Sequence, residues 1–168
     1  AVKGGVGTAS ADLGNGVIVG ALIVTNPVGG AYDPDTGRVI AGPRADDGTS
    51  MLDSLSLVTS PEFEPPKWMP LSNTTIGVVG TNVRLSKEKV NNLASIAHDG
   101  LAMAIRPAHL THDGDTIFSL ATGTSDVPVD MTRMYSAIVY CTIQAISRSV
   151  RMATGLGGIP AVTELAKT

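Results

Sequence analysis

The segment Leu71-Ser72-Asn73-Thr74-Thr75-Ile76-Gly77-Val78-Val79 sets two adjacent threonines where a proline-rich polar stretch runs into an apolar one. Residues of this type in this order can act on their own backbone. A Thr hydroxyl attacks the preceding carbonyl, the acyl group shifts from nitrogen to oxygen, and water then hydrolyses the ester. The cut frees an α-amine with a pKa of about 8, far below lysine's, so the amine can serve as local base for the same hydroxyl. Threonine is also common at strand starts, and the spacing by itself leaves both readings open.

Two other groupings invite chemistry. His98, His109 and His112 stand near Asp113 and Asp115, enough ligands on paper for a metal. His98 falls within a helical pattern, however, and no HExxH or paired Cys/His spacing accompanies it. One histidine is therefore read as a core or interface residue and the others as polar loop groups, with no metal expected. Lys3-Gly4-Gly5-Val6-Gly7-Thr8 resembles a phosphate loop only superficially, because its lysine precedes the glycines instead of following them. Glycines at this density are read as sites of close backbone packing.

These groups need elements to position them. Val6 to Thr25 reads as a hairpin around Asn15-Gly16, a dipeptide that tolerates φ > 0 at both turn positions. Its return strand, Val17 to Val24, is almost wholly apolar, as in a strand covered on both faces, and it ends at Asn26-Pro27. Ser54 to Ser72 shows no clean period and carries Pro61, Pro65, Pro66 and Pro70, so an extended surface linker is predicted, with flexible chain from about residue 42 to 73. Thr75 to Thr81 reads as a buried strand. Ser86 is a candidate N-cap for a helix over Lys87 to about Ile105, closed by Pro107. Asp113-Gly114-Asp115 forms a tight turn into a strand over Thr116 to Ala121. A second helix, from about Asp130 to Met152, is apolar on nearly every side and is expected to be largely buried, at a subunit contact. This alternation predicts an α/β or α+β class with layered packing.

Composition narrows the function classes. The 168 residues are 43% hydrophobic and 16% charged, which suits a packed core and disfavours disorder. A net charge of −3 without a basic run disfavours nucleic acid and anionic membrane as partners. One cysteine, Cys141, excludes an intrachain disulfide framework. No apolar run approaches the roughly 20 residues of a membrane span, and no basic stretch leads into an apolar one, so a cytoplasmic protein is expected. The chain begins Ala1-Val2-Lys3 without an initiator methionine and runs directly into a strand-like pattern, suggesting a processed product or a fragment.

Several motifs together are similar to the DmpA/NylC family of N-terminal nucleophile hydrolases, which includes β-aminopeptidases and endo-type nylon-oligomer hydrolases. They are Lys3-Gly4-Gly5-Val6-Gly7-Thr8-Ala9-Ser10, Asn26 at its strand end, Asn73-Thr74-Thr75-Ile76-Gly77-Val78-Val79, Ala97-His98-Asp99-Gly100-Leu101-Ala102, Ile105-Arg106-Pro107 and His112-Asp113-Gly114-Asp115-Thr116-Ile117-Phe118. The resemblance covers nearly the whole chain apart from the linker. It implies a four-layer αββα sandwich, present here as its C-terminal half. Residues 1–73 would be the C-terminal part of an α chain, and 74–168 a β chain beginning with the nucleophile.

By the same resemblance Thr74 would be that nucleophile, with Thr75 the alternative, and Asn73–Thr74 the cleaved bond. Asn26 would donate its amide N–H to the oxyanion, while Asp113 and Asp115 would orient the Thr74 amine and hydroxyl. The implied activity is hydrolysis of short amides such as 6-aminohexanoate oligomers, without a cofactor. Aminopeptidase action on small or β-peptides and acyl transfer of the ornithine-acetyltransferase kind are the alternatives, and a non-catalytic oligomer-building chain is a third class. A companion segment upstream of Ala1 and a homo-oligomer, a tetramer, are also implied. The sequence departs from the family in length and in a catalytic lysine that would lie upstream; Lys3 does not match its position.

Overall fold

A computed structural model describes residues 1–64 and 73–165. Strand β1 (Val6–Asp12) turns through Asn15 and Gly16 into β2 (Ile18–Asn26). Both turn residues have positive φ, 55° and 76°, as the dipeptide predicts. Strands β3 (Gly30–Tyr32) and β4 (Val39–Ala41) follow, then a short helix α1 (Ser54–Val58). Next come β5 (Thr74–Val83), α2 (Lys87–Ala104), β6 (Ile105–Arg106), β7 (Thr116–Ser125), α3 (Met131–Arg151) and α4 (Val162–Leu165).

The main sheet has the order β1-β2-β5-β7, and a smaller one has the order β4-β3-β6. β2 pairs antiparallel with both β1 and β5, whereas β5 and β7 run parallel. A parallel pair needs a crossover, and α2 supplies it. Ser86 caps α2 by accepting from Lys89 N–H at 3.3 Å, and Asp130 caps α3 by accepting from Arg133 N–H at 2.9 Å. Both helices lie on one face of the main sheet. Leu93, Leu101, Ile138 and Ile146 are fully buried there against Val19, Ile23 and Val79. Each such side chain contributes about 1.5–3 kcal/mol by leaving water. Cys141 is buried in the same layer, and burial pushes its thiol pKa up.

Three expectations change. Strand β2 alternates instead of being covered on both faces: Val19, Ala21 and Ile23 are buried, while Ile18 and Leu22 are exposed. Helix α3 is not apolar all round, because Thr132, Arg133, Ser136, Tyr140, Arg148 and Arg151 face outward. The sheet and α2 bury its other side, so burial there comes from within the chain. The predicted linker is also more structured than its prolines suggest. Asp53 caps α1 through Ser56 N–H at 2.7 Å and accepts from the Tyr32 hydroxyl at 2.7 Å. Asp47 closes a turn by accepting from the Ser50 hydroxyl and from the Ser50 and Thr49 N–H groups, bonds that lower its pKa to about 2. Residues 65–72 of that linker lie outside the described residues. The helix and sheet layers seen here are two of the four layers expected for the sandwich, and among the described residues no helix is long and apolar enough to cross a membrane.

The amino-terminal glycines are packing sites. A Cβ on Gly7 would lie 1.9 Å from the Ala145 carbonyl oxygen, so only glycine lets β1 pass this close to α3. Gly7→Ala should therefore cost about 1–3 kcal/mol of stability or more, as overpacking a backbone contact does, and lower the urea midpoint accordingly. Gly20→Ala, whose new methyl meets nothing nearer than 3.6 Å, should be near neutral in the same urea titration.

Candidate active site

The sequence-predicted residues converge at one end of the main sheet. Asn26 closes β2 and Thr74 opens β5, and the two are direct cross-strand partners. Side chains alternate along a strand, so Thr74 shares its face with exposed Ile76, and Thr75 points to the helices. Thr75 is 0% exposed, and its hydroxyl has no hydrogen-bond partner among the described residues. Thr74 is half-buried, with its hydroxyl donating to the carbonyl oxygen of Asn73 at 2.6 Å.

The aspartates act on backbone groups. Asp113 accepts from Val28 N–H at 3.1 Å through one oxygen and from Leu110 N–H at 3.2 Å through the other. Asp115, whose side chain is 2% exposed, accepts from Thr75 N–H at 2.8 Å and from His109 N–H at 3.3 Å. Its second oxygen also meets His109 Nδ1 at 3.1 Å. The structure places both aspartates next to the Thr74 segment, where they hold its neighbours and not its hydroxyl. Their oxygens are already engaged by these N–H groups.

Two further residues belong to this site. Gly114, between the aspartates, donates its N–H to the Asn73 carbonyl at 3.0 Å, and Asn73 and Asp113 form a parallel bridge. His109 sits at φ 58°, in the left-handed region, and packs against His98 of α2 with ring centroids 4.9 Å apart. Spacing along the chain could not pair His109 with Asp115, because a loop conformation makes that contact. The Asp-Gly-Asp spacing was the only available signal for Gly114. Among the described residues no three His, Cys, Asp or Glu side chains gather as a group able to hold a metal ion. A cleft of ≈ 360 Å³ opens at this end of the sheet, with Val2, Gly4, Asn26, Val28, Asn73 and Ile105 among its walls. That is the size range of small-molecule sites.

Burial, and then the charge of His109, holds the His98 imidazole below its ordinary pKa, while Asp115 and Asp99 partly oppose the shift. The folded chain therefore disfavours the protonated ring, and the unfolded chain takes up that proton first. The resulting stability is complete above the unfolded value of about 6.5 and is lost as pH falls below it. Thermal unfolding midpoints should drop on acidification through this window, and His98→Gln should flatten the slope; an unchanged slope would count against His98 as its source.

The chain is 42% identical over 179 residues to an uncharacterized aminopeptidase of Mycobacterium leprae, covering 95% of this chain and 47% of that protein. It is 33% identical over 124 residues to a 6-aminohexanoate-oligomer endohydrolase of Kocuria, covering 74% of this chain and 35% of that protein. It thus spans about half the length of the mycobacterial relatives it matches. Among solved structures, the L-aminopeptidase D-Ala-esterase/amidase of Ochrobactrum anthropi, described as a variant of the Ntn hydrolase fold, superposes with a TM-score of 0.59 at 21% identity. That match covers 95% of this chain and 43% of the other. A β-aminopeptidase of Burkholderia gives a TM-score of 0.58 at 19% identity. These likenesses assign the fold: a mixed α/β part of the Ntn hydrolase architecture. The model of peptidase family S58 matches residues 1–163, and the chain belongs to that family.

Proposed function

We propose that this chain carries the nucleophile of an amide hydrolase that first cuts itself between Asn73 and Thr74 and then works through a Thr74 acyl-enzyme. One observation carries the reading: of the two candidate threonines, Thr74 stands on the open face beside Asn26, and Thr75 is sealed in the core. After the cut, the Thr74 α-amine is the local base and its hydroxyl attacks the substrate carbonyl. The Asn26 side-chain amide, one strand away, donates to the oxyanion. Asp115 fixes the backbone beside the nucleophile through Thr75 N–H, and Asp113 fixes the loop after Asn26 through Val28 N–H. Residues 1–73 then form the end of an α chain and 74–168 the β chain. A companion segment upstream of Ala1 and assembly as a homo-oligomer, a tetramer, belong to this reading. The exposed apolar side chains on the Thr74 face support them.

The substrate class is short linear amides, with 6-aminohexanoate oligomers suggested by the Kocuria relative. Aminopeptidase action on small peptides is the second reading, favoured by the higher identity to the mycobacterial relative. Intact-mass spectrometry should show the protein cut before Thr74, and Thr74→Ala should be uncut and inactive; an uncut but fully active variant would sink the proposal. Assays on 6-aminohexanoate oligomers beside short peptides decide between the substrates, and release of free acid without an amine acceptor distinguishes hydrolysis from acyl transfer. Asn26→Ala should lower kcat about 100- to 1,000-fold, the usual loss for one oxyanion donor, with a smaller effect on KM.

A further inference from the structure

We infer that the peptide N–H of Gly114 is the oxyanion donor for scission of the Asn73–Thr74 bond, and that position 114 is glycine because the attacking hydroxyl fills the space of a side chain. The inference rests on the reading of Thr74 as nucleophile. The Asn73 carbonyl oxygen accepts from two groups, Gly114 N–H at 3.0 Å and the Thr74 hydroxyl at 2.6 Å. The group that must attack and the group that can receive the resulting charge therefore meet at one carbonyl.

The turn bearing Gly114 is held from both sides. Asp113 is tied to Val28 and Leu110, and Asp115 to Thr75 and His109, so the N–H between them is aimed before any reaction begins. Preorganised donors of this kind need no reorientation as charge develops. Gly114 does not take a left-handed φ, so its backbone conformation does not demand glycine. Space does: a Cβ there would stand 2.7 Å from Thr74 Oγ1 and 3.6 Å from its Cγ2.

The step balances within the chain and one water. Rotation about the Thr74 Cα–Cβ bond turns Oγ1 from the carbonyl oxygen toward the carbonyl carbon, and a C–O bond forms. The carbonyl electron pair moves onto the oxygen, which Gly114 N–H stabilises. Collapse breaks the Asn73 C–Thr74 N bond, and the hydroxyl proton ends on the departing nitrogen as the new amine. Water hydrolyses the resulting ester, giving the Asn73 carboxyl group and regenerating the Thr74 hydroxyl.

The test uses the whole gene product made by cell-free translation, with cleavage followed by intact mass against time. Glycolic acid placed at position 114 by nonsense suppression replaces the amide by an ester and removes only the N–H. It should slow scission about 100- to 1,000-fold while the circular dichroism spectrum stays that of the unaltered protein. Gly114→Ala keeps the N–H but crowds Thr74 Oγ1, and should also slow scission. Adding Thr74→Ser, which lacks Cγ2 and can swing its hydroxyl aside, should recover part of the Gly114→Ala loss. Scission of the ester-substituted protein at the normal rate would overturn the inference, as would accumulation of a hydroxylamine-sensitive ester, which would place Gly114 at hydrolysis and not at the acyl shift. If the unaltered protein itself is never cut before Thr74, it is the nucleophile reading that fails.

Discussion

The site depends on the register of β5. This strand is fixed along both edges, antiparallel to β2 and parallel to β7, and its side chains alternate with a period of two. A slip of one residue would exchange the environments of Thr74 and Thr75 and would turn Ile76 and Val78 toward the helices. Packing opposes such a slip. A Cβ on Gly77 would lie 2.3 Å from Ile23 Cδ1 and 3.1 Å from the Leu22 carbonyl oxygen, so a slip bringing Ile76 or Val78 to this point would have to displace buried Ile23. Val79 and Thr81 continue the buried face below it. A core contact a few residues away therefore decides which hydroxyl lies on the open face of the sheet.

The aspartates show a second way in which position is produced. Each spends its oxygens on backbone N–H groups from segments far apart in sequence. Asp113 joins the loop after β2 to the turn before β7, and Asp115 joins β5 to the loop holding His109. Buried carboxyl oxygens need such donors. Satisfying them here gathers four segments around the Asn73–Thr74 junction. Gly114 stands between the two anchors, where its N–H reaches the Asn73 carbonyl.

The main sheet is unequal on its two faces. Helices α2 and α3 bury one of them, while Ile18, Leu22, Ile76, Phe118 and Leu120 stand exposed on the other, Phe118 at 66%. Apolar faces of this kind are what sandwich folds enclose between sheets. Thr74 lies on this same face, at the end where Asn26 and Asn73 border the cleft, so any layer that covers the apolar row also shapes the approach to Thr74.

Much of this was legible in the chain itself. The Asn15-Gly16 turn, the Ser86 and Asp130 helix starts, the strand after Thr74 and the grouping of Asn26, Thr74, Asp113 and Asp115 follow from local rules or from motif resemblance, because turn chemistry, capping and periodicity act over a few residues. The close-packing role of the early glycines was legible too, and Gly7 against Ala145 bears it out. Other features needed long-range contacts. The short helix at Ser54 exists because Asp53 caps it and also accepts from Tyr32, a contact spanning 21 residues. The uncovered face of β2 and the polar side of α3 depend on which layers pack against them, and composition does not encode that. Residue types and their order raised self-attack by a threonine at 74 or 75 as an expectation and left the two open. The folded chain turned Thr75 into the core, left Thr74 beside Asn26 and set the Gly114 N–H on the Asn73 carbonyl, because strand register and buried hydrogen bonding are decided by partners distant along the chain.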